Sequence, residues 1–231
     1  MEIIAEIGSN HCGDFEIGKK LIDELYATGV TLIKMQLWRT EDLYLDTDYE
    51  KTKPFELSFE LAEKFFNYCK GLGIDLFFSV FYEDAVDFCE RIDVRYYKIA
   101  ARTVENRKLV KKVLETGKPT YISFSSLYGD PIKEHNSIKG MGHDFIPMYT
   151  VSKYPSNIMN INFRHLSYFA NQNGGFSNHD LTPTSVFYAD LHKMKIIEIH
   201  MMLDDQPESP DIVCSWKISK LQEYKRRFIN D

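Results

Sequence analysis

The chain has 231 residues, a formal charge of −6, and 44% hydrophobic, 14% aromatic and 27% charged residues. This is ordinary globular composition, which excludes a disordered chain, and the length suits one domain. There is no basic stripe interleaved with aromatics and no apolar window long enough to span a bilayer, so nucleic acid and membrane are poor partners.

In chain order, eight short apolar runs predict strands over residues 2–7, 31–36, 74–79, 96–100, 120–124, 145–149, 174–177 and 195–199. Most are near-continuous, as expected for strands buried on both faces. Helical patterns lie between them. After the first run, Ile17, Leu21 and Leu25 recur on one face, with Asp14 placed to cap the start and Gly29 just past the end. Lys19 and Lys20 lie near Asp23 and Glu24, which reads as a solvated face. Residues 37–55 are polar and tyrosine-rich, an insertion long enough to form a lid. Ser58 then caps a helix with Leu61, Phe65, Cys69 and Leu72 on one stripe, ending at Gly71 to Gly73. The third pattern uses Ala85, Phe88, Cys89 and Ile92. The fourth uses Leu109, Val110, Val113 and Leu114 and is stopped by Gly117 and Pro119. Residues 125–142 hold Gly129, Pro131, Gly140 and Gly142 with little apolar periodicity, which predicts a loop or stub helix. The last helix opens on a capping-box pattern, Ser219 to Gln222, and turns Leu221, Tyr224 and Phe228 inward.

Strands alternating with helices imply parallel pairing, and eight such units in this length predict one (β/α)8 TIM barrel over residues 1–231, with an irregular fifth helix. An open doubly wound sheet is the rival. Cys12, Cys69, Cys89 and Cys214 are scattered without a CxxC, so neither a disulfide framework nor a zinc knuckle is expected. With no signal-like N-terminus, a cytoplasmic location is expected.

The strand ends are unusually polar. Glu6, Asn10 and His11 follow the first, Lys34 and Gln36 end the second, and Ser79 ends the third. Lys98 lies in the fourth, Ser123 in the fifth, and Tyr149 and Tyr154 at and beyond the sixth. Ser177, Asn178 and His179 end the seventh, and Glu198 and His200 lie in or after the eighth. In a barrel these ends form the rim where active sites sit. Two lysines and a serine suit phosphate or carboxylate oxygens, a glutamate suits base chemistry or sugar hydroxyls, and a histidine suits a divalent metal. Each has a plainer alternative: a surface lysine, a packed histidine, a structural serine. Glu6 lies in an apolar run, and a buried carboxylate needs a partner such as Lys34, which is itself a structural explanation.

These motifs resemble the barrel domain of the sialic acid synthase family, in order and over essentially the whole chain. Glu6, Gly8, Asn10, His11 and Gly13 stand as in E-I-G-x-N-H-x-G, and Lys34 with Gln36 as in K-x-Q. Ser79 and Phe81 stand as in S-T-P-F, and Tyr97 and Lys98 as in Y-K-I. Tyr154 with Pro155 matches Y-P, Ser177 to His179 resembles S-D-H, Glu198 with His200 resembles E-x-H, and Pro210 with Asp211 resembles G-P-D. The resemblance implies condensation of phosphoenolpyruvate with an N-acyl hexosamine (an amino sugar) to give a 2-keto sugar acid and phosphate, assisted by manganese or magnesium. It implies Glu6, Lys34 and His179 as catalytic, with His179 also binding metal. It implies Asn10, Gln36, Ser79, Lys98, Arg102, Ser123, Tyr154, Glu198 and His200 as substrate-binding. The pattern departs where Ala101 and Thr103 replace a serine and a glutamate, where Tyr149, Thr150 and Val151 replace H-C-T with its metal histidine, and where Asn178 replaces an aspartate. No C-terminal antifreeze-like domain is read, so a separate chain of that kind is an implied partner. Three readings stay open: a shortened synthase, a barrel with altered chemistry, and a non-catalytic homologue binding a sugar, a carboxylate or a protein.

Overall fold

The structure, a computed structural model, describes residues 1–43 and 49–228. Eight parallel strands follow one another in order: β1 (Glu2–Gly8), β2 (Leu32–Leu37), β3 (Asp75–Val80), β4 (Tyr97–Ile99), β5 (Thr120–Phe124), β6 (Ile146–Thr150), β7 (Gly175–Asn178) and β8 (Ile196–Met202). β1 pairs with β2 on one side and with β8 on the other, so the sheet closes into a barrel and the open-sheet rival is excluded. A two-residue strand, β9 (Trp216–Lys217), adds to the far end of β8 at Met201 and Met202. Every predicted strand is present, with ends displaced slightly. The last runs on to Met202 because its polar residues are buried rather than looped.

A helix follows each strand: α1 (Phe15–Ala27), α2 (Phe59–Leu72), α3 (Glu83–Ile92), α4 (Arg107–Leu114), α5 (Pro131–Lys139), α6 (Phe163–Asn171), α7 (Thr184–Leu191) and α8 (Ile218–Phe228). The expected caps hold. The Asp14 carboxylate accepts from the Glu16 and Ile17 amides at 2.7 and 3.0 Å, and the Ser58 hydroxyl accepts from the Leu61 amide at 3.2 Å. α1 and α2 pack closely at Gly18, where a Cβ would stand 2.3 Å from Phe65 Cζ.

Two expectations are corrected. The stretch read as a loop or stub holds the nine-residue α5, capped by Asp130 with Pro131 in its first turn. It was hidden because its buried face is Pro131, His135 and Ile138, with the His135 ring standing in for an apolar residue against Phe124 and Phe169. α8 begins at Ile218, so Ser219 lies inside it rather than capping it. The Ser219 hydroxyl donates to Asp204, and Phe228 is exposed. Part of the expected lid, residues 44–48, lies outside the described residues. Around it run the helical turns Thr40–Leu43 and Tyr49–Thr52 and a 3-10 turn at Lys53–Phe55. All four cysteines are free, and among the described residues no helix is long and apolar enough to cross a membrane.

Side chains alternate along each strand. One set faces the helices and forms the main core, including Ile33, Phe78, Ile99, Phe124, Tyr149, Phe176 and Ile199. The other faces the barrel axis. Its lower layer is a separate apolar cluster of Ile4, Leu32, Phe77, Tyr121, Met148 and Ile196. Two residues further along the same strands the axis-facing positions are Glu6, Lys34, Ser79, Ser123, Thr150 and Glu198, all buried and all polar.

Candidate functional site

The polar layer floors a cavity of about 280 Å³ at the C-terminal ends of the strands. Ten of the twelve residues proposed from sequence line it: Lys34, Gln36, Ser79, Lys98, Arg102, Ser123, Tyr154, His179, Glu198 and His200. Glu6 and Asn10 do not. Glu6 lies beneath, ion-paired to Lys34, the partner its burial demands. Asn10 braces two loops: its amide nitrogen donates to the Met201 carbonyl at 2.8 Å and to Ser215 Oγ at 2.9 Å, while its oxygen accepts from Ser209.

Two lysines converge on one carboxylate. Lys98 Nζ donates to both Glu198 oxygens, at 3.1 and 2.9 Å, and Lys34 Nζ lies 3.6 Å from Glu198 Oε2. Lys34 also donates to Ser79 Oγ at 2.7 Å, and Ser177 Oγ donates to Glu198 Oε1 at 2.8 Å. Burial alone would raise the Glu198 carboxyl, but Lys34 and Lys98 outweigh it and hold the group far below the usual carboxylate range. Burial brings Lys34 down to about 7, with Glu198 opposing and Lys98 assisting. Ser123 Oγ is buried at the cavity wall with no hydrogen-bond partner among the described residues.

His179 Nδ1 lies 2.7 Å from the Val151 carbonyl, which can only accept, so Nδ1 carries the proton and Nε2 is left as a lone-pair donor. Burial, and then His200, bring His179 down to about 3, so the ring is neutral. The Tyr154 ring packs on it with centroids 4.2 Å apart, and the His200 ring lies 5.4 Å away. Burial lowers His200 as well, against the pull of Asp211.

Asp211 and Cys214 come from the 3-10 turn Pro210–Cys214 that follows β8. Their donor atoms and one of His200 all lie within 4.8 Å of one another, and His200 Nδ1 is buried without a hydrogen-bond partner among the described residues. Asp211 Oδ2 accepts from the Ser9 amide at 2.6 Å. Gly8, at φ +55°, makes room: a Cβ there would stand 2.1 Å from Asp211 Oδ2.

Tyr149, read as the replacement for a metal histidine, does not face the cavity. It is packed outward against Phe169 and Phe176, and its hydroxyl accepts from the Asn162 amide at 3.0 Å. Thr150 takes the inward place on β6. A second imidazole nevertheless stands beside His179, supplied by β8 as His200. Sequence reading placed His200 among the substrate contacts only, and it gave Asp211 and Cys214 no role. The signal available was the Pro210–Asp211 motif after β8.

The NeuB family pattern matches residues 21–230 of this chain. The chain belongs to the NeuB family. It is 32% identical over 216 residues to an uncharacterized protein of Methanocaldococcus jannaschii, covering 90% of this chain and 64% of that protein. It is 27% identical over 230 residues to the pseudaminic acid synthase of Campylobacter jejuni, covering 90% and 67%. The chain therefore spans about two thirds of the length of these curated relatives. The crystal structure of N-acetylneuraminic acid (sialic acid) synthetase from Leptospira borgpetersenii serovar Hardjo-bovis, in complex with citrate, superposes with a TM-score of 0.87 at 24% identity. It covers 96% of this chain and 80% of that one, a likeness of fold.

Proposed function

We propose that this NeuB-family barrel condenses phosphoenolpyruvate with an N-acyl hexosamine to give a 2-keto sugar acid and phosphate. The observation that carries the reading is the pair of buried lysines meeting at Glu198, beside the unpartnered Ser123 hydroxyl, in one cavity. Buried ammonium groups bind carboxylate and phosphate oxygens strongly, because water does not compete there. An incoming trianion draws on the lysine protons now shared with Glu198, and Ser123 donates to one of its oxygens. Gln36 and Arg102, at the cavity wall, orient the rest of the substrate. Lys34, brought down to about 7, holds or releases a proton near neutral pH.

Among the described residues, a divalent ion fits one place. The unpartnered His200 nitrogen and the Asp211 carboxylate lie 4.0 Å apart, with His179 beside them. When bound there, it supplies Lewis acidity toward the sugar aldehyde.

The test is phosphate release from phosphoenolpyruvate across a set of N-acyl hexosamines, with and without divalent metal. Release dependent on both, and lowered about 10²–10³-fold in kcat/KM by Lys98→Met, is expected. No release with any such sugar would overturn the synthase reading. If phosphoenolpyruvate then still raised the melting temperature, the barrel would be a binding protein.

A further inference from the structure

We infer that Cys214 is a third protein donor of the metal centre, and that the centre takes a thiophilic divalent ion such as zinc, cobalt or ferrous iron over manganese or magnesium. The inference rests on the metal part of the reading above and not on the reaction.

The turn Pro210–Cys214 is 3-10 helical, where residues three apart eclipse one another. Asp211 and Cys214 are three apart, so both side chains point the same way, and His200 on β8 meets them: one donor atom from each lies within 4.8 Å of the other two. Cys214 is fully buried and His200 is 5% exposed. A buried imidazole nitrogen without a partner costs about 1–3 kcal/mol, and a metal ion is a partner that removes that cost. The Cys214 thiol donates to the Asp211 carbonyl at 3.4 Å, a bond given up when the thiol loses its proton to bind a metal. His200 and Asp211 also line the cavity, so a fourth position opens toward substrate, as in catalytic zinc sites with three protein ligands. Magnesium favours octahedral oxygen ligands, whereas one nitrogen, one carboxylate oxygen and one thiolate suit a softer ion. On binding, the thiol proton leaves to solvent.

The metal-free chain is titrated with cobalt(II) in the absence of substrate. A near-ultraviolet thiolate-to-cobalt band and intense four-coordinate visible bands are expected, displaced by zinc and not by equal magnesium or manganese. Cys214→Ala and Cys214→Ser lose the thiolate band and weaken zinc by more than the roughly 10–100-fold that loss of an outer-shell partner costs. A thiolate band that survives in these variants, or displacement by magnesium, overturns the inference. Zinc-edge X-ray absorption on the unaltered chain needs no variant: one sulfur at about 2.3 Å supports it, and nitrogen and oxygen alone overturn it. Turnover that needs only magnesium, with no thiolate band, sinks this inference and leaves the synthase reading standing. A thiolate band with no turnover does the reverse.

Discussion

Two layers of side chains fill the same barrel, two residues apart on the same strands, and they are built on opposite principles. The lower layer is Ile4, Leu32, Phe77, Tyr121, Met148 and Ile196. The upper layer is Glu6, Lys34, Ser79, Ser123, Thr150 and Glu198. Both are buried, so burial does not decide the residue type here. The lower layer stabilises through area removed from water. The upper layer needs every charge matched, because an unmatched one in that position is costly. Real proteins give up stability in this way at functional sites.

The contrast can be broken at several strengths. The largest effect falls on Lys34→Met, which orphans Glu6. Urea unfolding should show a loss of about 3–5 kcal/mol, and adding Glu6→Gln should restore most of it. A double variant as unstable as the single would mean that packing, not charge, holds the upper layer. Phe77→Ala in the lower layer should cost about 3–5 kcal/mol, with KM of the folded fraction unchanged. A changed KM would show that the two layers are not separate. Ser123→Ala should reverse that pattern: unfolding shifts by less than about 0.5 kcal/mol, while kcat/KM for phosphate release falls roughly 10- to 100-fold.

Of a different kind is the pH dependence of stability, which is spread over a pH range rather than set by one substitution. His11, His179 and His200 are all lowered in the folded state, mainly by burial, to about 4 and about 3 in the first two cases. The unfolded chain binds more protons just below pH 6.5, so stability present above that pH falls as pH drops through that range. Melting curves from pH 7.5 to 5 should slope downward, and His179→Gln should flatten the slope in part. A slope unchanged by that substitution would remove His179 from the account.

Much of this was legible in the sequence, for particular reasons. Lys34 and Lys98 stood out because they interrupt apolar runs. The need for a partner to Glu6 followed from desolvation alone, and the structure supplies Lys34. α7 gives no clear periodic signal: Phe187, Tyr188 and Leu191 are exposed while Val186 and Ala189 are buried, so its apolar residues run around the helix. α5 was masked by a histidine packed as an aromatic. Tyr149 stands where the family motif has a histidine, but a motif match does not say which face of a strand a residue takes, and its ring packs outward. Asp211 and Cys214 reach His200 only through the path of a loop, which no local spacing encodes.

The pairing of β1 with β8 has a consequence for how the chain matures. β1 is made first, and one of its edges has no strand to bond until β8 has been synthesised. An unpaired edge is a template for wrong partners, and closing so long a loop is slow. Glu198 and His200 lie on β8 itself, and His200 settles opposite Glu6 only when that seam closes. The buried network of Glu6, Lys34, Lys98 and Glu198 is therefore complete only once β8 is in place.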